Sequence, residues 1–266
     1  MSTVRLAATV ILARPPFEVY LTRRSASSAF APDAFVFPGG TIAPQDLTEA
    51  AREQTLGLET NRVDGEFRAT LPEELACDEP PVERESARAL IVAALRELFE
   101  ETGVLLARRA CGTPVDGASE DWRQVAEERI AVRDERLTFA DFLKGHDWYA
   151  DAHALSLFSH WITPPSEPRR YNTHFFFAVA PQGQEALADA FETHDGIWIS
   201  PAAALQRLRD GTMHLVYPTI KHLARLAAFD SVDAALKFAQ SKPVLTIVPV
   251  DAGEDFDIPE ALEDAW

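Results

Sequence analysis

Cysteine is scarce: Cys77 and Cys111 are the two in 266 residues. They make neither a metal-ligand spacing nor a disulfide framework, so a reducing compartment is the default. Basic residues are also few, 25 Lys and Arg against 42 Asp and Glu, leaving a net charge of −17. Nucleic acid and anionic membranes are met by basic patches, so both are excluded as bulk partners. A small phosphorylated substrate is not excluded, because a metal and a few arginines can meet its charge locally. No apolar run approaches the roughly 18 to 20 residues of a membrane span. LAATVILA (Leu6–Ala13) follows a single Arg and has no clear cleavage site, so it reads as a first strand rather than a signal core. No peroxisomal or ER-retention tripeptide closes the sequence, and the expected location is the cytoplasm.

Hydrophobic residues make up 47%, enough for a substantial core. The length allows one large domain or two small ones. LAATVILAR, then Pro15-Pro16, then EVYLTRR (Glu18–Arg24) reads as a hairpin. THFFFAVA (Thr173–Ala180) and GIWIS (Gly196–Ser200) read as strands, and LSLFSHWI heads towards another. Ser86 is the expected N-cap of a helix that Gly103 stops, with Leu90, Ala94, Leu95 and Leu98 as its apolar stripe. Ser200-Pro201 opens a second helix, stopped by Gly211. The fold class is α+β. The expectation is one domain over residues 1–245, with helical or irregular insertions at about 47–84 and 107–150. An acidic, mobile tail follows over 246–266.

LRELFEETG (Leu95–Gly103) poses an electrostatic question. On a helix, residues three and four apart are neighbours, so Glu97, Glu100 and Glu101 share one patch. The like-charge pair Glu97–Glu101 costs an isolated helix roughly 0.2–0.5 kcal/mol. Arg96 can pair with Glu100 without neutralising the group. A solvated acidic face is the plain explanation. The other is a hard divalent cation, which takes oxygen ligands and offsets the repulsion. VFPGG (Val36–Gly40) adds two glycines whose backbone can take geometries closed to other residues, so a tight turn there could aim a carbonyl at the same metal.

Together these segments resemble the Nudix box, G-x5-E-x7-R-E-U-x-E-E-x-G-U with U aliphatic. Gly40 matches its first glycine, and Arg96, Glu97, Leu98, Glu100, Glu101, Gly103 and Val104 match its second half. Asp46 stands where the family has Glu, and 49 residues instead of seven separate it from Arg96, so 42 are inserted. The resemblance implies a mixed β-sheet between helices. It also implies hydrolysis of a nucleoside diphosphate linked to another group, with Mg2+ or Mn2+ as cofactor. It implies metal ligation by Glu97 and Glu101 directly and by Glu100 directly or through water. A carbonyl from Gly39 or Gly40 would complete the set. Glu100 or Glu101 would be the general base, or else a Glu from a later loop, for which Glu192 is the candidate.

LTRRSASSAFAPDAFVFPGG (Leu21–Gly40) is similar to the coenzyme A signature L-L-T-x-R-S-x3-R-x3-G-x3-F-P-G-G. It departs at Ala29, where the signature has Arg, and at Asp33, where it has Gly. With the long box insertion and WITPP…RRYNTHFFF (Trp161–Phe177), the chain resembles the peroxisomal-type coenzyme A diphosphatase branch. That branch implies cleavage of CoA or acyl-CoA to 3′,5′-ADP and (acyl-)4′-phosphopantetheine. A 3′-phosphate calls for further cations. Arg23, Arg24, Arg169 and Arg170 are available, Arg24 and Arg170 foremost, beside the Gly39 turn. Tyr171 and Phe175 could stack on adenine or pack in the core.

The departures at Ala29 and Asp33 keep other substrates open: ADP-ribose, another nucleotide sugar, NADH or a dinucleoside polyphosphate. A non-catalytic Nudix-like sensor is a third reading, against which the intact glutamates stand. His146, His153 and His160 recur every seven residues but share no sustained helix, so they read as coincidence. The sequence leaves a homodimer open.

Overall fold

The computed structural model describes residues 4–26, 31–67, 82–117, 122–187, 193–253, 255–263 and 266. Cys77, Ala29, Glu192 and part of the first insertion lie outside them. The strands are β1 (Arg5–Arg14), β2 (Glu18–Arg24), β3 (Phe35–Val36), β4 (Gly39–Thr41), β5 (Thr55–Leu56), β6 (Ala107–Arg109), β7 (Trp148–Asp151), β8 (Ser156–Ile162), β9 (Tyr171–Val179), β10 (Thr193–Ile199), β11 (Thr246–Ile247), β12 (Val250–Ala252) and β13 (Asp255–Asp257). The helices are α1 (Glu49–Glu53), α2 (Thr60–Phe67), α3 (Arg84–Thr102), α4 (Trp122–Arg133), α5 (Phe139–Gly145), α6 (Pro201–Arg209), α7 (Tyr217–Leu226) and α8 (Val232–Ser241). None is long and apolar enough to cross a membrane.

The main sheet runs β10-β2-β1-β9-β8-β11, with β3 on β2 and β4 on β1. β1 is its axis. It pairs in parallel with β9 from Arg5↔Tyr171 to Ala13↔Val179, and antiparallel with β2 and β4 along its other edge. The Pro-Pro hairpin therefore forms as its chemistry dictates, but β2 holds only the end of β1. Side chains alternate between two cores, as a period of two requires. Ala8, Val10, Leu12, Tyr20, Phe176 and Ala178 face α3, while Ile11, Ala13, Val19, Leu21, Phe175 and Phe177 face α6, α7 and α8. Each large apolar side chain so buried contributes roughly 1.5–3 kcal/mol.

α3 is buried all round through its middle, from Ala89 to Leu95, rather than along one stripe. α5 closes its outer side, with Phe142 stacked on Phe99 at 4.8 Å. The helix begins at Arg84, ahead of Ser86, and its N-cap Glu83 makes no side-chain cap bond. Tertiary contacts set that start instead: Val82 is buried, and Arg84 pairs with Asp64 at 2.8 Å. Gly103 ends α3 in the left-handed region (φ 74°), its N–H donating to the Phe99 carbonyl at 2.8 Å. Ser200 caps α6 by accepting from the Ala203 N–H, as expected.

The two insertions are built on each other. β5 from the first and β6 from the second flank β7 in a separate three-stranded sheet. Where an acidic tail was expected, several described residues after 245 pack on the body of the protein. β11 pairs with β8, and Ile258, Leu262 and Trp266 are buried. Trp266 is 2% exposed and meets Trp161 edge-on at 5.2 Å. Apolar residues spaced through the acidic stretch are what anchor it.

Candidate active site

Residues 39–41 are a strand and not the tight turn expected of two glycines: Gly39 pairs with Thr9, Gly40 with Ala8 and Thr41 with Ala7. The glycines serve close approach. A Cβ on Gly39 would lie 2.3 Å from the Ala8 carbonyl oxygen, and one on Gly40 would lie 2.3 Å from Glu97 Oε1. β4 is thereby pressed between β1 and the last turns of α3. The Gly39 N–H donates to Glu101 Oε2 at 3.1 Å.

Arg96 is the hub, 3% exposed. Its Nε and Nη2 grip both oxygens of Asp46 at 2.8 and 2.9 Å. Nη1 donates to Glu97 at 2.9 Å and to Glu100 at 3.1 Å, and Nη2 also reaches the Thr41 carbonyl at 3.2 Å. Asp46, itself 4% exposed, accepts from the Ala43 N–H at 2.8 Å. Burial alone would push the guanidinium down, but the Asp46 bonds and the charges of Glu97 and Glu100 outweigh it and hold Arg96 protonated. Asp46 therefore faces Arg96 across the whole first insertion. Burial raises Glu100 to about 7; Arg96 opposes the shift and Glu97 adds to it.

A cavity of about 360 Å³ opens beside this hub, lined by Glu97, Glu100, Glu101 and Thr41 and, from the second insertion, by Arg133 and Glu135. Among the described residues no three Asp, Glu, His or Cys side chains already converge as a ligand set. Glu97 and Glu100 are turned to Arg96, and Glu101 to the Gly39 N–H. The donor set nevertheless fits a hard divalent cation: three carboxylates, all oxygen, on one cavity wall.

The residues expected to hold substrate do not line this cavity. Arg23 pairs with Asp33 at 3.2 Å and Asp195 at 3.7 Å. Arg24, the next residue on β2, is half-buried, and its N–H donates to the Ala34 carbonyl at 3.0 Å. Arg170 donates from Nε to the Thr163 carbonyl at 2.9 Å. Tyr171 opens β9 opposite Arg5. Phe175 is core, 4.2 Å from the His222 ring. Asp33 sits at φ 61°, a backbone conformation that glycine adopts freely and Asp tolerates, so its departure from the glycine signature leaves the loop's path intact. His146 contacts Glu128, and His160 contacts Thr246 and Asn172, so the heptad spacing assembles nothing. Arg133 and Glu135 were not foreseen. Nothing local in AVRDERL marks either one.

A mixed sheet between helices, crossed by an R-E-L-F-E-E helix on a glycine strand, defines the Nudix fold. The chain belongs to the family described as the NUDT19 Nudix domain, whose model matches residues 1–226. It is 29% identical over 250 residues to the acyl-coenzyme A diphosphatase NUDT19 of Gallus gallus, covering 85% of this chain and 65% of that one. Against the Homo sapiens protein of that name it is 26% identical over 260 residues, covering 85% and 65%. The chain thus spans just under two thirds of the length of these curated relatives. Among solved structures, a Nudix hydrolase from Alicyclobacillus acidocaldarius matches with a TM-score of 0.65 at 25% identity, covering 89% of this chain and 97% of that one.

Proposed function

We propose that this chain is a divalent-metal-dependent diphosphatase that cleaves CoA or acyl-CoA to 3′,5′-ADP and (acyl-)4′-phosphopantetheine. The observation that carries the reading is the carboxylate cavity over α3, braced by the buried Asp46–Arg96 pair. The names of the two relatives support the choice of substrate. Glu97, Glu100 and Glu101 would hold Mg2+ or Mn2+, which when bound neutralises diphosphate oxygens and acidifies water. Arg96 is the positioning residue. It fixes the rotamers of Glu97 and Glu100 and, being buried, does not meet substrate. Glu100 is the candidate to accept the proton of the attacking water. Glu101 is the alternative acceptor, and Glu192 lies outside the described residues. Arg23 and Arg24 on the β2 rim and Arg170 and Tyr171 at the start of β9 are assigned to the rest of the substrate.

The test is mass spectrometry of products from an equimolar mixture of CoA, acetyl-CoA, ADP-ribose, NADH and diadenosine tetraphosphate with Mg2+. Early 3′,5′-ADP and phosphopantetheine are expected, and Glu101→Gln should abolish them. AMP released first from ADP-ribose or NADH would keep the reaction class and replace the substrate. No cleavage with Mg2+ or Mn2+ would turn the reading to a ligand sensor.

A further inference from the structure

The second insertion reaches into the acidic cavity. α4 lies across the C-terminal end of α3, where Arg129 Nε donates to the Glu100 carbonyl at 2.9 Å and its Nη2 to the Leu187 carbonyl at 3.0 Å. A cation there answers the orphan carbonyls and the negative end of the helix dipole, and it clamps α4 to the catalytic helix. Arg133 is four residues further along α4 and so shares the Arg129 face. It lines the cavity with Glu97, Glu100 and Glu101. Its side chain is 14% exposed and pairs with Asp134 at 2.7 Å.

Two arginines line this cavity. Arg96 is committed to Asp46, Glu97, Glu100 and the Thr41 carbonyl. Arg133 has among its partners its sequence neighbour Asp134, whose side chain is 38% exposed, so that pairing is open to solvent on its carboxylate side. A diphosphate entering here comes against Glu97, Glu100, Glu101 and Glu135. A guanidinium fork matches two phosphate oxygens at once. We propose that Arg133 grips the substrate's diphosphate, exchanging Asp134 for two non-bridging phosphate oxygens. The inference rests on the diphosphatase reading and gives the second insertion a part in it.

Inorganic pyrophosphate with Mg2+ is the probe, titrated calorimetrically into the full chain, with melting curves to confirm that each variant folds. Arg133→Ala should weaken binding by about tenfold or more, the loss of a charge-assisted pair. Arg133→Lys, which keeps the charge and loses the fork, should fall between. Asp134→Asn should bind at least as well as the wild type. With CoA, Arg133→Ala should raise KM as much while kcat moves less. Unchanged pyrophosphate binding in Arg133→Ala, or none in the wild type, overturns the inference. So does Asp134→Asn weakening binding equally, because Arg133 would then merely brace the turn. A wild type that binds pyrophosphate through Arg133 yet cleaves no diphosphate sinks the proposed function alone. One that cleaves CoA with Arg133→Ala unimpaired sinks this inference alone.

Discussion

Asp46 and Arg96 lie 50 positions apart in sequence and share one of the most buried ion pairs among the described residues. Taking one partner from such a pair leaves a buried charge short of its bidentate counter-ion, and the loss runs to about 3–5 kcal/mol. Asp46→Ala should therefore cost about that much in denaturant unfolding, and turnover should fall with it as Glu97 and Glu100 lose their brace. A stability loss within the range of a surface substitution, about 0.5 kcal/mol, would mean that Glu97, Glu100 and the Thr41 carbonyl suffice to hold Arg96. The sequence placed Asp46 in the box but not its partner, because a 49-residue interval hides the contact. The reach of Arg133 was hidden in the same way: its position depends on how α4 packs, which no local pattern states.

At the scale of elements, legibility follows locality. The Pro-Pro hairpin, the Ser200 cap and the Gly103 stop are written in neighbouring residues, and they stand where they were read. The start of α3 and the pairing of β11 with β8 are set by distant contacts and were misread. The β8–β9 pair carries a further property that local reading passed over. His160 and His174 oppose each other in register and stack at 4.0 Å. Burial pushes His160 down to about 4 and His174 well below its ordinary 6.5, with the neighbouring His160 adding to the latter. Burial likewise pushes His222 down to about 3, against the bond to Pro218. Histidines held below their unfolded values contribute stability above 6.5 that is lost as pH falls towards the folded values. Unfolding free energy should thus decline from about pH 6.5 to 4, by up to about 1.4 kcal/mol per pH unit for each histidine. His174→Phe should flatten that slope in denaturant melts at several pH values, and an unchanged slope would acquit the pair.

For the whole molecule, the last twenty residues matter more than their acidity suggests. Trp266 packs on Trp161 and His222 and sits 5.2 Å from the Arg225 guanidinium. Trp266→Ala should cost about 3–5 kcal/mol, as large core truncations do, with a melting point lowered by several degrees. A melting point unmoved would return this segment to the status of a tail.

The parallel pairing of β1 with β9 has a consequence in time. A ribosome adds about 5–20 residues per second, so roughly 8 to 33 s separate the emergence of Arg5 from that of Tyr171. Through that interval β2 and β4 can cover one edge of β1, while the other waits as a bare row of apolar residues and unpaired amides. The nascent chain is most vulnerable to sticking to its neighbours before β9 arrives, and α3 has a complete sheet to rest on only afterwards.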